Sequence, residues 1–203
     1  MTREMRSDDE RTIALYQSLL VKHGETYRAL DWGSRESQQK RFEVLANIGV
    51  TAGDRILDVG CGFADFNAWL IEHRPGVEYS GIDLTPGMVE RAQARFPNAL
   101  ILNKTIFDEE LPIGPFDYLF ASGIFVFRQE SPEDYLFSTI KMMYGLCIKG
   151  ISFNSLSSWA NEKSPSEFYA DPANVISFCK TLSQKIVLRH DYHSADFTIY
   201  MYK

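Results

Sequence analysis

The chain has 203 residues, 45% of them hydrophobic and 24% charged, with a formal net charge of −6. That length supports a full core without metals or disulfide staples, and predicts one domain over 1–203. No apolar stretch approaches the ~20 residues that span a bilayer, and no Lys/Arg cluster offers a patch for phosphates, so neither membrane nor nucleic acid is an expected partner.

The charged start, MTREMRSDDER, has no apolar segment of the kind that directs secretion. Within residues 1–50, IALYQSLLVKHG and SQQKRFEVLANIG read as amphipathic helices, each closed by a glycine at C′, Gly24 and Gly49. The aromatic and polar stretch ETYRALDWGSRE joins them into a helical cap. From about residue 53 the apolar runs RILDV, VEYSGID, ALILNKTIF, FDYLFASGIF, LCIKGISFN, KIVLRHDY and FTIYMYK follow one another. Between most of them lie helical segments, ADFNAWLIEHRPG, TPGMVERAQARF, SPEDYLFSTIKMMYG and DPANVISFCKTLSQ. Thr85-Pro86, Ser131-Pro132 and Asp171-Pro172 each set a capping side chain before a proline at the first helical position. Val175, Phe178, Cys179 and Leu182 form the stripe of the last helix.

Strand–helix alternation predicts an α/β fold with a doubly wound, mostly parallel sheet over 51–203. Only HSAD separates KIVLRHDY from FTIYMYK, too short for a parallel crossover, so the last strand should run antiparallel. The chain then ends, leaving no room for a second C-terminal domain. Cys61, Cys147 and Cys179 show neither CxxC nor Cys/His spacing, which points to a reducing, cytoplasmic setting and no structural metal.

The stretch ILDVGCGFADF carries the chemistry. A dinucleotide fingerprint wants G-x-G-x-x-G; Gly60 and Gly62 fit, but Asp65 stands at the third glycine. A carboxylate there repels a pyrophosphate and suits a positively charged cofactor. No Gly-Lys-Ser/Thr follows, so a P-loop is excluded. The pattern D-V-G-C-G-F-A-D resembles motif I of the class I S-adenosylmethionine-dependent methyltransferases. Asp83 in SGIDLTPGMVERA, where that family places an acidic residue, and the strand order ending in an antiparallel hairpin extend the resemblance over about 53–203. It implies a Rossmann-like seven-stranded sheet and S-adenosylmethionine as cofactor. Ala64 departs from the family's further glycine, by one methyl group.

The resemblance implies roles residue by residue. Gly60 and Gly62, with Cys61 as a small filler between them, would let the cofactor's methionine part touch the backbone. Asp58 would receive its α-ammonium, with Asp65 nearby. Asp83 would accept from the ribose hydroxyls, and Leu84 and Met88 would flank the adenine. Thr105 and Ile106 take the adenine-edge position, although many members have Asp where Thr105 stands. Ser122 and Gly123 would lie by the sulfonium. Taken singly, Asp58 also reads as a helix cap and Asp83 as an ordinary strand-end acid. Phe66, Trp69 and Leu70 read as core.

Methyl transfer is a direct displacement, so a base is needed only for a protonated acceptor. No N/D-P-P-Y/F and no Pro-Cys follows the fourth strand, where ASGIFVF stands, and no carboxylate set of the metal-dependent catechol type can be assembled. Ligands bind outside the carboxyl ends of such a sheet, where KIVLRHDY brings His190 and Tyr192. His190 reads as a general base or as a structural histidine tying the hairpin to a loop. Phe125, Asn154, Tyr169 and Tyr192 are expected in the acceptor wall, with the long segment SLSSWANEKSPSEFYA as a lid. From the cap, Tyr27 and Trp32 are expected to cover the site. Arg41 reads as the partner of the cofactor's carboxylate or as a surface ion pair. The patterns ASGIF, KGISFNSL and LRHDY also resemble small stand-alone bacterial-type methyltransferases. The expected reaction is methylation of a small-molecule hydroxyl or amine, the oligomeric state being open. Alternatives are a non-catalytic cofactor-binding regulator, or a non-methylating transferase using a related nucleoside; a nicotinamide oxidoreductase is disfavoured by Asp65.

Overall fold

The computed structural model describes residues 3–108, 111, 114–127 and 130–203, with side chains from residue 8 onward. Its strands are β1 (Arg55–Val59), β2 (Glu78–Asp83), β3 (Leu100–Asn103), β4 (Phe116–Ala121), β5 (Cys147–Leu156), β6 (Lys185–Arg189) and β7 (Asp196–Tyr202). They form one sheet in the order β3-β2-β1-β4-β5-β7-β6. The first five pair in parallel, and β7 runs antiparallel to both β5 and β6. The expected α/β sheet with an antiparallel last strand is the one observed. The short HSAD turn folds β7 back into the gap between β5 and β6, which leaves β6 at the edge.

The helices are α1 (Arg3–His23), α2 (Arg35–Ala46), α3 (Asp65–His73), α4 (Pro86–Arg95), α5 (Pro132–Leu146) and α6 (Pro172–Cys179), with a 3₁₀ turn at Tyr27–Leu30. Side chains alternate across a strand, so a central strand covered on both faces must be apolar almost throughout. In β1 and β4, Ile56, Tyr118 and Phe120 pack beneath α2, α3 and α4, together with Phe66, Trp69 and Leu70. Leu57, Val59, Leu119 and Ala121 pack on the other face, with Leu136, Ile140 and Met143 of α5 and Val175 and Cys179 of α6. Each large side chain fully buried this way contributes about 1.5–3 kcal/mol.

Pro occupies the first turn of α4, α5 and α6, but of the three expected caps only Asp171 accepts through its side chain, from the Ala173 N–H at 2.9 Å. At α4 the Thr85 N–H instead donates to Asp83, at 2.8 Å. Gly24 follows α1 directly, its N–H on the Leu20 carbonyl at 2.9 Å. Helix α2 stops at Ala46, so Gly49 sits in the turn beyond it and not at C′.

Register brings the site together. Val59 is level with Ile82 on β2 and with Ala121 on β4, Asp83 with Asn103 on β3, and Ala121 with Phe153 on β5. The residues that follow, Gly60, Lys104, Ser122 and Asn154, therefore emerge at one edge of the sheet. Helix α1 lies over this edge. Its Leu20 is buried with Ala29, Phe63 and Met88. Among the described residues no helix is long and apolar enough to cross a membrane.

Candidate active site

The strand ends open into a cleft between β1 and β4, where the strand order reverses. That reversal parts the neighbouring connections and leaves room for a ligand. The turn after β1 is held tightly. The N–H groups of Gly60 and Cys61 both donate to the Ile82 carbonyl, at 2.8 and 3.0 Å. Gly60 and Gly62 have φ of +75° and +53°, in the left-handed region that favours glycine. A Cβ at Gly60 would stand 2.2 Å from Ile124 Cγ2, and one at Gly62 would stand 2.7 Å from Leu30 Cδ2. Ala64 shares this geometry, with φ +56°, although it carries a methyl group.

Three carboxylates surround the turn. Asp83, 9% exposed, accepts from the Gly62 N–H at 2.8 Å through one oxygen and from the Thr85 N–H through the other. Burial raises its pKa, and these two donors partly offset the rise. Asp58 accepts from the Tyr79 hydroxyl at 2.7 Å. Burial pushes its carboxyl up to about 7 against the pull of Tyr79, with Asp83 and Asp65 adding to the rise. Asp65 is paired with Arg95 at 2.6 Å and takes a Gln38 amide N–H at 3.3 Å.

Asp58, Gly60, Cys61, Gly62, Asp65, Asp83, Leu84, Met88, Thr105, Ile106, Ser122, Gly123 and Trp32 all line this cleft. The Gly123 N–H donates to Asn154 Oδ1 at 2.8 Å, so Asn154 anchors the turn after β4 and is not part of an acceptor wall. Trp32 packs on Gly123, where a Cβ would come within 2.9 Å of the indole.

Five expected site residues lie elsewhere. Arg41 is 6% exposed, forms a buried ion pair with Asp196 and donates to the Ser37 carbonyl at 2.9 Å. Its guanidinium lies 4.9 Å over the Trp32 ring. It is thus neither on the cleft nor in a surface pair. Tyr27 is also off the cleft; Leu30, at the end of the same 3₁₀ turn, lines it instead. His190 Nε2 bonds Ser157 Oγ at 2.8 Å and the ring stacks on Trp159 at 5.4 Å, the structural arrangement of its two readings. Tyr192 bonds Thr198 at 2.8 Å. Tyr169 donates to Glu167 and accepts from the Ser164 N–H at 3.0 Å. For His190 and Tyr192 the reason is topological: β6 lies three strand positions beyond β4, roughly 14 Å away at ~4.8 Å per strand. Phe125 is core, edge-on to Phe153. The long segment after β5 is pinned by bridges from Ser157 to Ala170 and from Phe127 to Glu167.

The cleft is also lined by Asp9, Thr12 and Tyr16 of α1, Phe107 after β3, Phe127 after β4 and Tyr135 of α5. The signal was present in the sequence as the spacing Asp9-Thr12-Tyr16-Leu20, a single helix face that turns apolar toward its C-terminus. Among the described residues no group of His, Cys, Asp or Glu is arranged to hold a metal.

A family profile described as "Methyltransferase domain" matches residues 57–147. A Mycobacterium tuberculosis protein that is a methyltransferase by name is 33% identical, the match covering 73% of this chain and 92% of that one. Trans-aconitate 2-methyltransferase of Rhizobium rhizogenes is 34% identical over 41% of this chain, which spans only 32% of that enzyme's length. The crystal structure of a TehB-like S-adenosylmethionine-dependent methyltransferase from Corynebacterium glutamicum shares the fold, with a TM-score of 0.62 at 13% identity, covering 98% of this chain and 100% of that one. With the strand order and the glycine turn above, these matches settle the family: the chain belongs to the class I S-adenosylmethionine-dependent methyltransferases.

Proposed function

We propose that this methyltransferase acts on a hydroxyl or amine of a small molecule. The observation that supports the reading is the rest of the cleft lining, to which Asp9, Thr12 and Tyr16 of α1, Phe127 and Tyr135 contribute. A recess roofed by a helix and walled by aromatic rings suits a small acceptor better than a polymer.

The cofactor half fits S-adenosylmethionine in its chemistry. Asp58 and Asp83 are desolvated carboxylates without a cation bonded to them among the described residues. A cationic ligand would relieve that cost. In this reading Gly60 and Gly62 offer bare backbone to the methionine part, with Cys61 filling behind them. Asp58 receives the ammonium, with Asp65 beside it. Each Asp83 oxygen takes one N–H and keeps a lone pair for a ribose hydroxyl. Leu84, Met88, Thr105 and Ile106 border the adenine, and Ser122, Gly123 and Trp32 enclose the reacting end. When bound, S-adenosylmethionine supplies an electrophilic methyl group on a positive sulfur that keeps the bonding pair. The chain's own task is alignment and exclusion of water.

An acceptor like the one in the name of the trans-aconitate enzymes is not favoured, because Asp9 and its acidic neighbours would oppose a polycarboxylate. The three cysteines are free and buried, which suits the reducing cytoplasm we assign to the protein. The test is transfer of a labelled methyl from S-adenosylmethionine into a fractionated cell extract. Label in the small-molecule fraction is expected; label only in RNA or protein overturns the reading. Asp83→Ala should weaken S-adenosylhomocysteine binding at least about tenfold, since bonds of ~1–3 kcal/mol that order the turn are lost.

A further inference from the structure

We propose that Arg41 is a positioning residue for methyl transfer: it holds the Trp32 indole against Gly123 and so sets the wall beside the reacting methyl. The inference rests on the reading above in which Gly123 and Trp32 enclose the reacting end, and adds to it a residue that does not line the cleft.

The local backbone does not fix the indole. Trp32 stands between the 3₁₀ turn at Tyr27–Leu30 and the start of α2 at Arg35, with Asp31 and Gly33 exposed on either side. A Cβ at Gly33 would meet nothing within 4 Å, so the chain leaves Trp32 over open space. The Trp32 N–H bonds the Tyr27 carbonyl at 3.0 Å, which places the main chain but not the side-chain rotamer.

Two tertiary contacts do that instead. The half-buried indole lines the cleft and packs on the bare backbone of Gly123, where a Cβ would come 2.9 Å from Trp32 Cζ2 and 3.1 Å from Cη2. Gly123 is itself anchored, its N–H on Asn154 Oδ1 at 2.8 Å. Over the ring lies the Arg41 guanidinium, 4.9 Å from the centroid, inside the ~6 Å at which an indole face attracts a cation.

Arg41 is held from both sides. It pairs with Asp196 at the start of β7, and its other terminal nitrogen donates to Ser37 Oγ and, at 2.9 Å, to the Ser37 carbonyl. A buried ion pair gives little stability that an apolar pair of the same shape would not, so the charge is explained by what it orients. A planar cation with fixed donors presents one face to a ring, as a lysine does not. On either side of Arg41 along α2, Gln38 and Phe42 line the cleft, so the helix that carries the clamp also carries part of the wall. An indole fixed beside the transferring methyl excludes water and confines the acceptor to an aligned approach. A misplacement of about 1 Å there can cost on the order of 100-fold in rate.

A double-mutant cycle tests this, on transfer of labelled methyl from saturating S-adenosylmethionine into the small-molecule fraction of a cell extract. Arg41→Lys keeps the charge beside Asp196 but loses the planar face. Arg41→Lys and Trp32→Ala should each lower the rate about 10–100-fold, and the double variant should be no slower than Trp32→Ala alone. S-adenosylhomocysteine affinity of Arg41→Lys should stay within about threefold of wild type, with the melting temperature of each variant measured alongside. Where Arg41→Lys does not fold, Asp196→Asn, which loosens the guanidinium without altering a cleft residue, takes its place in the same cycle. A wild-type rate in that variant, losses that multiply in the double variant, a rate loss that only tracks unfolding, or a large fall in S-adenosylhomocysteine affinity overturns the proposal. A wild-type protein that puts no label into small molecules overturns the reading beneath it, and that result is seen before any variant is made.

Discussion

The turn after β1 is held by residues close in sequence or on the adjoining strand, whereas the recess beneath α1 is assembled from four separate segments. In the turn, Gly60, Cys61 and Gly62 bond to Ile82 and Asp83 of the neighbouring strand. In the recess, Asp9, Phe107, Phe127 and Tyr135 meet only because α1 lies across the sheet edge. The first kind of site is specified by local backbone demands. The second depends on long-range packing. This difference is why the glycine turn is legible in the sequence and the lining beneath α1 is not.

Breaking the long-range side should give the largest effect. Arg41→Ala removes one partner of a buried ion pair and leaves Asp196 with His193 at 3.2 Å, a change that costs up to about 3–5 kcal/mol. Denaturant unfolding should show that loss. S-adenosylhomocysteine affinity should change by less than about threefold, since Arg41 does not reach the cleft. A large affinity loss with intact stability would restore Arg41 as a cofactor ligand.

Proton linkage sharpens the local side. Burial pushes the Asp58 carboxyl up to about 7 in the folded protein, against ~3.9 when unfolded. Between those values the folded state holds the extra proton, so this group makes stability fall as pH rises from ~4 to ~7. A bound ammonium favours the ionised form, so affinity for S-adenosylhomocysteine should rise with pH through about 7. Melting and calorimetry at pH 5 and pH 8 should show opposite trends, and Asp58→Asn should flatten both.

The smallest expected change lies within the motif itself. Ala64 holds a left-handed conformation at φ +56°, which costs an L-residue about 1–2 kcal/mol. Ala64→Gly should recover roughly half of that, because glycine also loses more freedom on folding. A melting temperature about 2–4 °C higher is expected. A lower one would mean that the Ala64 methyl, fully buried in the core, contributes more than its strain costs.

Much of the fold was legible because its signals are periodic or local. Apolar runs such as RILDV must be strands buried on both faces, and a gap as short as HSAD forces a hairpin. The expected site residues that lie off the cleft were misplaced by long-range packing. His190 and Tyr192 follow or flank a strand with the expected polarity, but β7 takes the place beside β5 and carries β6 out to the edge. Arg41 looked like a free cation because Asp196 is 155 positions away. Asp9 was hidden because one acid in a charged N-terminal stretch looks like its neighbours until the helix is placed.

By itself, the sequence determined the parallel sheet, the glycine turn and the carboxylates around it. Those features follow from backbone geometry, side-chain alternation and charge within a few residues or across adjacent strands. Only the tertiary structure decided which aromatic and acidic side chains of α1 and α5 line the cleft. That lining is drawn from α1, the segments after β3 and β4, and α5, and an assembly of distant segments leaves no period or spacing in the chain.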